Sequence, residues 1–179
     1  WSSDVCSSDL KVVELLENQR KTGLVAPRLI YPDGKTQPSV KKFPTFLHKI
    51  LKLKKIFLKK PPKKSDFYHA IPENGPVTVD SAISACWFFR KDILESVGLL
   101  DEKIFYSPED VDFCLRIWKS GKSIVYYPGF VVIHDTQQIS HKKPFSKLSL
   151  SHFKGVAYFL RTHGYFLRPP EYGDWEQKH

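Results

Sequence analysis

Apolar residues fall along this chain in short blocks, and the spacing inside each block points to the element it builds. Val12, Val13, Leu15 and Leu16 share one side of a short helix over 11–20, and Gly23 stands where the left-handed residue that stops such a helix is expected. LVAPRLIY follows as a strand, leaving through a Pro32-Asp33-Gly34 turn in which Pro presets φ and Gly accepts positive φ. After an Asn74-Gly75 turn, VTVDSAISACWFF reads as strand and RKDILESVG as a short helix ended by Gly98. LLDEKIFYSPED is a loop feeding a further helix, with Ser107 as its N-cap, Pro108 in the first turn, Asp110 three residues after the cap, and Gly121 as the stop beyond Lys119. SIVYYP and FVVIH read as two short strands, and KLSLSHFKGVAYFLRTHG as a last amphipathic helix. Strands alternating with helices predict an α/β fold, and no internal repeat interrupts the order.

One stretch breaks the pattern. From Lys41 to Lys64 there are ten lysines and no acid, with Phe43, Phe46, Leu47, Ile50, Leu51, Ile56 and Phe57 near helical spacing, and Pro61-Pro62 closes the run. This is a basic amphipathic segment (41–64). It carries much of an excess charge of +9, or +11 once Asp4 and Asp9 are set aside, which points to a polyanionic partner: nucleic acid, anionic lipid or a phosphorylated substrate. Composition elsewhere is that of a globular domain, 41% hydrophobic and 14% aromatic over 179 residues. Cys86 and Cys114 lie inside apolar runs with no second pair to form a metal site, and read as buried free thiols of a cytosolic protein. No run of eighteen or more apolar residues occurs.

The densest chemistry is YSPEDVDFCLRIWKSG followed by IVYYPGFVVIH. Glu109, Asp110 and Asp112 crowd one helix start, and His134 ends an apolar strand, where functional groups are commonly carried. A purely structural account exists: Asp110 closes a capping box with Ser107, Glu109 favours the helix dipole, and Asp112 pairs with Arg116 one turn on. His134, as a lone histidine, has a structural account too.

The order of the pieces adds to this. TGLVAPRLIYPDGKTQPSVKKFPT, VDSAISACWFFRKDILESVGLLDEKIF, SPEDVDFCLRIWKSGKSIVYYPGFVVIH and HDTQQIS resemble, in sequence and order, the second half of family 2 glycosyltransferases of the bacterial rhamnosyltransferase-like type, from Gly23 to Gly164. The resemblance implies a GT-A fold and an inverting transfer from a nucleotide-diphosphate sugar to a saccharide or lipid-linked acceptor in cell-envelope polysaccharide synthesis, O-antigen included. It implies Asp110 as general base toward the acceptor hydroxyl, with Glu109 orienting the acceptor. Ser84, Ala85, Cys86 and Asp112 would make acceptor contacts, although Ser84 stands where relatives usually have Gly. His134 would lie near the divalent metal, Mg or Mn, and the nucleotide diphosphate. The Asp-x-Asp motif that holds that metal is expected upstream of Lys11. The Gln-x-x-Arg-Trp motif of processive synthases is absent, which favours a single transfer.

Residues 1–10, WSSDVCSSDL, carry no signal-peptide pattern, and back-translated they resemble a sequencing-library adapter read in frame. They are expected to be a non-native scar ahead of the C-terminal, acceptor-side part (11–179) of a longer domain that would be inactive alone. Lys52, Lys54, Lys55, Lys59 and Lys60 are candidate contacts to an anionic membrane, Lys142 and Lys143 to an acceptor diphosphate. Together they predict a cytoplasmic enzyme peripheral to the inner face of the plasma membrane. The rival readings are a helix packed on its own domain with solvated lysines, and a non-catalytic module for membranes or nucleic acid. A nucleic-acid arm explains the charge and leaves the acidic pair and His134 without a role.

Overall fold

A computed structural model describes residues 3–44, 73–105, 107–135, 147–164 and 172. The elements, in order, are α1 (Ser3–Asn18), β1 (Thr22–Ile30), β2 (Val40–Lys41), β3 (Val77–Thr78), β4 (Ser81–Ala82), α2 (Lys91–Val97), α3 (Glu109–Lys119), β5 (Ser123–Ile133) and α4 (Lys147–His163). The fold is α/β: a mixed sheet in the order β1-β5-β3, with β5 parallel to β1 and antiparallel to β3, flanked by helices, and a small antiparallel β2-β4 pair beside it.

Alternation along β1 builds the layers. Leu24 and Ala26 face one side with Ile124 and Tyr126 of β5, where α3 and α4 add Val111, Phe113, Leu115, Ile117, Val156, Phe159 and Leu160. Val25 and Val125 face the other side and meet Val12 and Leu16 of α1. Because both faces of β1 are covered, its centre, Leu24 to Pro27, is apolar without alternation. Among the described side chains of α1, the i, i+4 pair Val12 and Leu16 is buried; Val13, about 100° further round, is exposed. The helix itself runs back to Ser3, through residues the sequence suggested were foreign.

Three local expectations are revised. Gly23 lies inside β1 rather than at a helix stop. A Cβ there would come within 2.5 Å of Ile117 Cγ2 and 2.8 Å of Lys122 Cβ, so the missing side chain lets α3 approach the strand. SIVYYP and FVVIH are one strand, in which the pairing jumps from Pro27–Tyr127 to Arg28–Val131, so Pro128-Gly129-Phe130 forms a bulge and not a break. VTVDSAISACWFF breaks into β3, β4 and a single bridge of Phe88 to Val25, because the chain leaves the sheet at Asp80 and turns at Ser84. Gly98 and Gly121 do end α2 and α3 at positive φ, and Gly34 turns at Pro32-Asp33-Gly34.

Candidate active site

The first turn of α3 carries Glu109, Asp110 and Asp112, and helix geometry sends the last two to different places. Successive positions rotate by about 100°, so Asp110 and Asp112 emerge some 200° apart. Asp110 turns toward the β2-β4 pair. Its Oδ2 lies 2.9 Å from Lys41 Nζ and its Oδ1 accepts the Val111 N–H at 2.8 Å, and the residue is only 6% exposed. Asp112, 2% exposed, turns toward α4. One of its oxygens accepts Arg116 Nε at 2.8 Å and the other lies 2.7 Å from His163 Nε2. Although spaced as Asp-x-Asp, the two carboxylates therefore do not converge.

The expected capping box is not formed. The N-cap position is Pro108, one residue later than Ser107, and the N-cap residue makes no side-chain bond to the helix start. A proline cannot supply a side-chain acceptor, so Asp110 has no reciprocal capping-box partner and divides its oxygens between the Val111 N–H and Lys41. The expected Asp112–Arg116 pair is formed, and Arg116 goes on to donate to the carbonyls of Val97 and, at 2.9 Å, Leu99. Lys119 Nζ lies 2.9 Å from His163 Nδ1, so Asp112, His163 and Lys119 form a chain between α3 and α4.

Glu109 faces the turn after β4. Ser84 is its polar neighbour there, while its Oε2 is buried with no hydrogen-bond partner. Burial, and then the charge of Asp110, push its carboxyl above the usual carboxylate range, against weaker opposing pulls from its own backbone N–H, Lys41 and Ser84. Ser84 and Ala85 are exposed on that turn and Cys86 is half-buried, its thiol pushed up by burial. Cys114, fully buried against the Ala82 carbonyl, has its thiol pushed up to about 12 and is chemically quiet.

His134 follows β5. Its N–H extends the β1-β5 ladder to the Ile30 carbonyl at 2.9 Å, and its Nδ1 meets the Gln37 side-chain oxygen at 3.0 Å. Gln37 and Lys41 are four residues apart, so the His134 end and the Asp110 end are joined by a link whose Cα span is at most about 14 Å. Among the described residues no three His, Cys, Asp or Glu side chains converge on a metal-sized point, and His134 is a single candidate ligand. The described residues thus do not make a metal site by themselves.

The structure brings together Lys41, Ser84, Glu109 and Asp110. It sets Asp112 on the far side of the helix and His134 at the sheet end. Lys52, Lys54, Lys55, Lys59, Lys60, Lys142 and Lys143 lie outside the described residues. Lys41 is the site residue that sequence reasoning missed. It reads as the first lysine of a basic run, and the signal available was only that Val40 before it begins a strand whose alternation reverses the side of the chain.

No family model matches the chain. Over 154 residues, 84% of its length, it is 26% identical to proteins named N-acetylglucosaminyl-diphospho-decaprenol L-rhamnosyltransferase from Mycobacterium tuberculosis, strains CDC 1551 / Oshkosh and ATCC 25618 / H37Rv. The matched stretch is 49% of those proteins, so the chain spans about half the length of the curated relatives it matches. What the chain is similar to, over most of its own length, is a rhamnosyltransferase.

Proposed function

We propose that this chain is the acceptor-side part of an inverting GT-A glycosyltransferase of family 2. It would move a sugar, rhamnose in the simplest case, from a nucleotide-diphosphate donor to a lipid-linked saccharide in a single transfer. The observation that carries the reading is Asp110: a carboxylate withdrawn from water at a helix start, held by Lys41 and the Val111 N–H, next to a second desolvated acid and a turn of small residues. In the reaction the acceptor O–H proton passes to Asp110. The acceptor oxygen bonds to the anomeric carbon from the face opposite the leaving group, and the bond to the nucleoside diphosphate breaks with its electron pair. Glu109 and Ser84 orient the acceptor hydroxyl. A divalent metal, Mg or Mn, would neutralise the leaving diphosphate; its Asp-x-Asp ligands belong to a donor-side half, with His134 as this chain's contribution.

Among the described residues no helix is long and apolar enough to cross a membrane. We infer peripheral attachment to the inner face of the plasma membrane through the lysine-rich segment, where each basic residue near an anionic surface contributes about 1 kcal/mol. The acceptor class follows the names of the relatives. The test is to incubate the full-length protein with nucleotide-diphosphate sugars and an N-acetylglucosaminyl-diphospholipid, and to read the anomeric configuration of the product. Transfer with inversion is expected. Transfer with retention would overturn the inverting mechanism and the role of Asp110, and no transfer beside intact membrane or nucleic-acid binding would remove the enzyme reading in favour of a binding module.

A further inference from the structure

Lys41 reaches Asp110 because of where β2 ends. Val40 pairs with Ala82 and is buried in the core, and the strand's alternation turns the next side chain to the opposite face, toward the start of α3. The backbone there is pinned twice: Lys41 pairs with Ser81 in the β2-β4 register, and the Ser81 hydroxyl donates to the Lys41 carbonyl at 3.0 Å. From that anchor the ammonium sits 2.9 Å from Asp110 Oδ2, in a pair whose lysine side chain is 22% exposed. A largely desolvated ion pair is weak evidence for stability, since the charges lose about as much hydration as they gain in attraction. What such a pair does supply is orientation.

We propose that Lys41 is a positioning residue for Asp110, and that it belongs to the active site rather than to the surface lysines it adjoins in sequence. The proposal rests on Asp110 acting as the base. With Oδ2 held by Lys41 and Oδ1 by the Val111 N–H, both oxygens of the carboxylate are fixed, so its plane cannot turn and the unused lone pairs keep one direction. An acceptor hydroxyl then meets the base in a set geometry, which is the kind of alignment whose loss slows a reaction without weakening binding. The same ammonium also offsets the two adjacent acids, acting on Glu109 as well as Asp110.

The experiment is a double-mutant cycle on the full-length enzyme, using Lys41→Gln and Lys41→Met, each alone and with Asp110→Asn. Lys41→Arg serves as the conservative control, with thermal midpoints taken for every variant. Lys41→Gln and Lys41→Met should lower kcat by about tenfold or more with KM nearly unchanged, and Lys41→Arg should recover most of it. In the Asp110→Asn background the same changes should alter the residual rate by less than about twofold, because the group they act through is gone. Equal losses in both backgrounds, or full turnover in Lys41→Met beside an inactive Asp110→Asn, would overturn the positioning role and leave the base intact. Full turnover in Asp110→Asn would overturn both. A Lys41→Gln variant that sediments less with phosphatidylglycerol vesicles yet turns over normally would return Lys41 to the membrane face.

Discussion

At the scale of single residues, two aspartates separated by Val111 are put to different uses by the rotation of one helix. Asp112 reads from sequence as half of an i, i+4 helix salt bridge with Arg116, the kind whose loss costs about 0.5 kcal/mol. In the fold it is buried with two partners, so Asp112→Asn should cost about 3–5 kcal/mol, the scale for breaking a buried pair, measured by denaturant unfolding. Glu109 makes a pH prediction. Its carboxyl is raised above 4.5, so between that value and its folded value the folded state holds more protons than the unfolded chain, and stability falls as pH rises through the window. Above the window the ionised, desolvated carboxylate is a fixed cost. Glu109→Gln removes it while keeping an oxygen for Ser84, so this variant should melt higher than wild type near neutral pH. The gain should vanish below 4.5. A gain that persists in acid would mean the effect is not electrostatic.

At the scale of elements, α4 shares an apolar core with α3 through Val156, Phe159 and Leu160, and a buried polar contact ties the two, His163 to Asp112 at 2.7 Å, with Phe159 against the imidazole. His163→Ala leaves a buried carboxylate oxygen without its partner and should cost about 1–3 kcal/mol in thermal or denaturant unfolding. An unchanged midpoint would mean that α4 is held by its apolar face alone. The elements themselves were largely legible. The stops at Gly98 and Gly121 could be read because positive φ is a local demand, and α4 because its apolar positions keep helical period. Gly23 was misread because its reason is not local: the absent side chain makes room for Ile117, some ninety positions away. Gly23→Ala should therefore cost about 1–3 kcal/mol by overpacking, where a helix-stop glycine would have failed through its backbone instead.

At the scale of the whole molecule, the order of motifs conveyed an α/β chain with an acidic pair at one helix start, and the similarity to rhamnosyltransferases over 84% of its length agrees with that order. The acids were legible because they are adjacent in sequence. Their cation was not, since Lys41 and Asp110 are 69 positions apart and only the β2-β4 register joins them. Charge at this scale also predicts behaviour at a surface. Changing Lys52, Lys54, Lys55, Lys59 and Lys60 together to Gln should weaken sedimentation of the full-length protein with anionic vesicles by several kcal/mol, about 1 per residue, and leave neutral vesicles unaffected. Loss of RNA binding with vesicle binding unchanged would favour the nucleic-acid reading.

The central claim is that Asp110 takes the acceptor's proton, and the most direct measurement is the transfer rate of Asp110→Asn in the full-length enzyme beside its unfolding transition. Asn keeps the shape and an oxygen at the same place but cannot accept the proton. The account predicts a cooperative fold, retained donor binding and a rate lowered by roughly a hundredfold or more, the usual scale of general-base catalysis. Near-wild-type turnover in that variant would contradict it and reduce the acidic pair to a structural partner of Lys41.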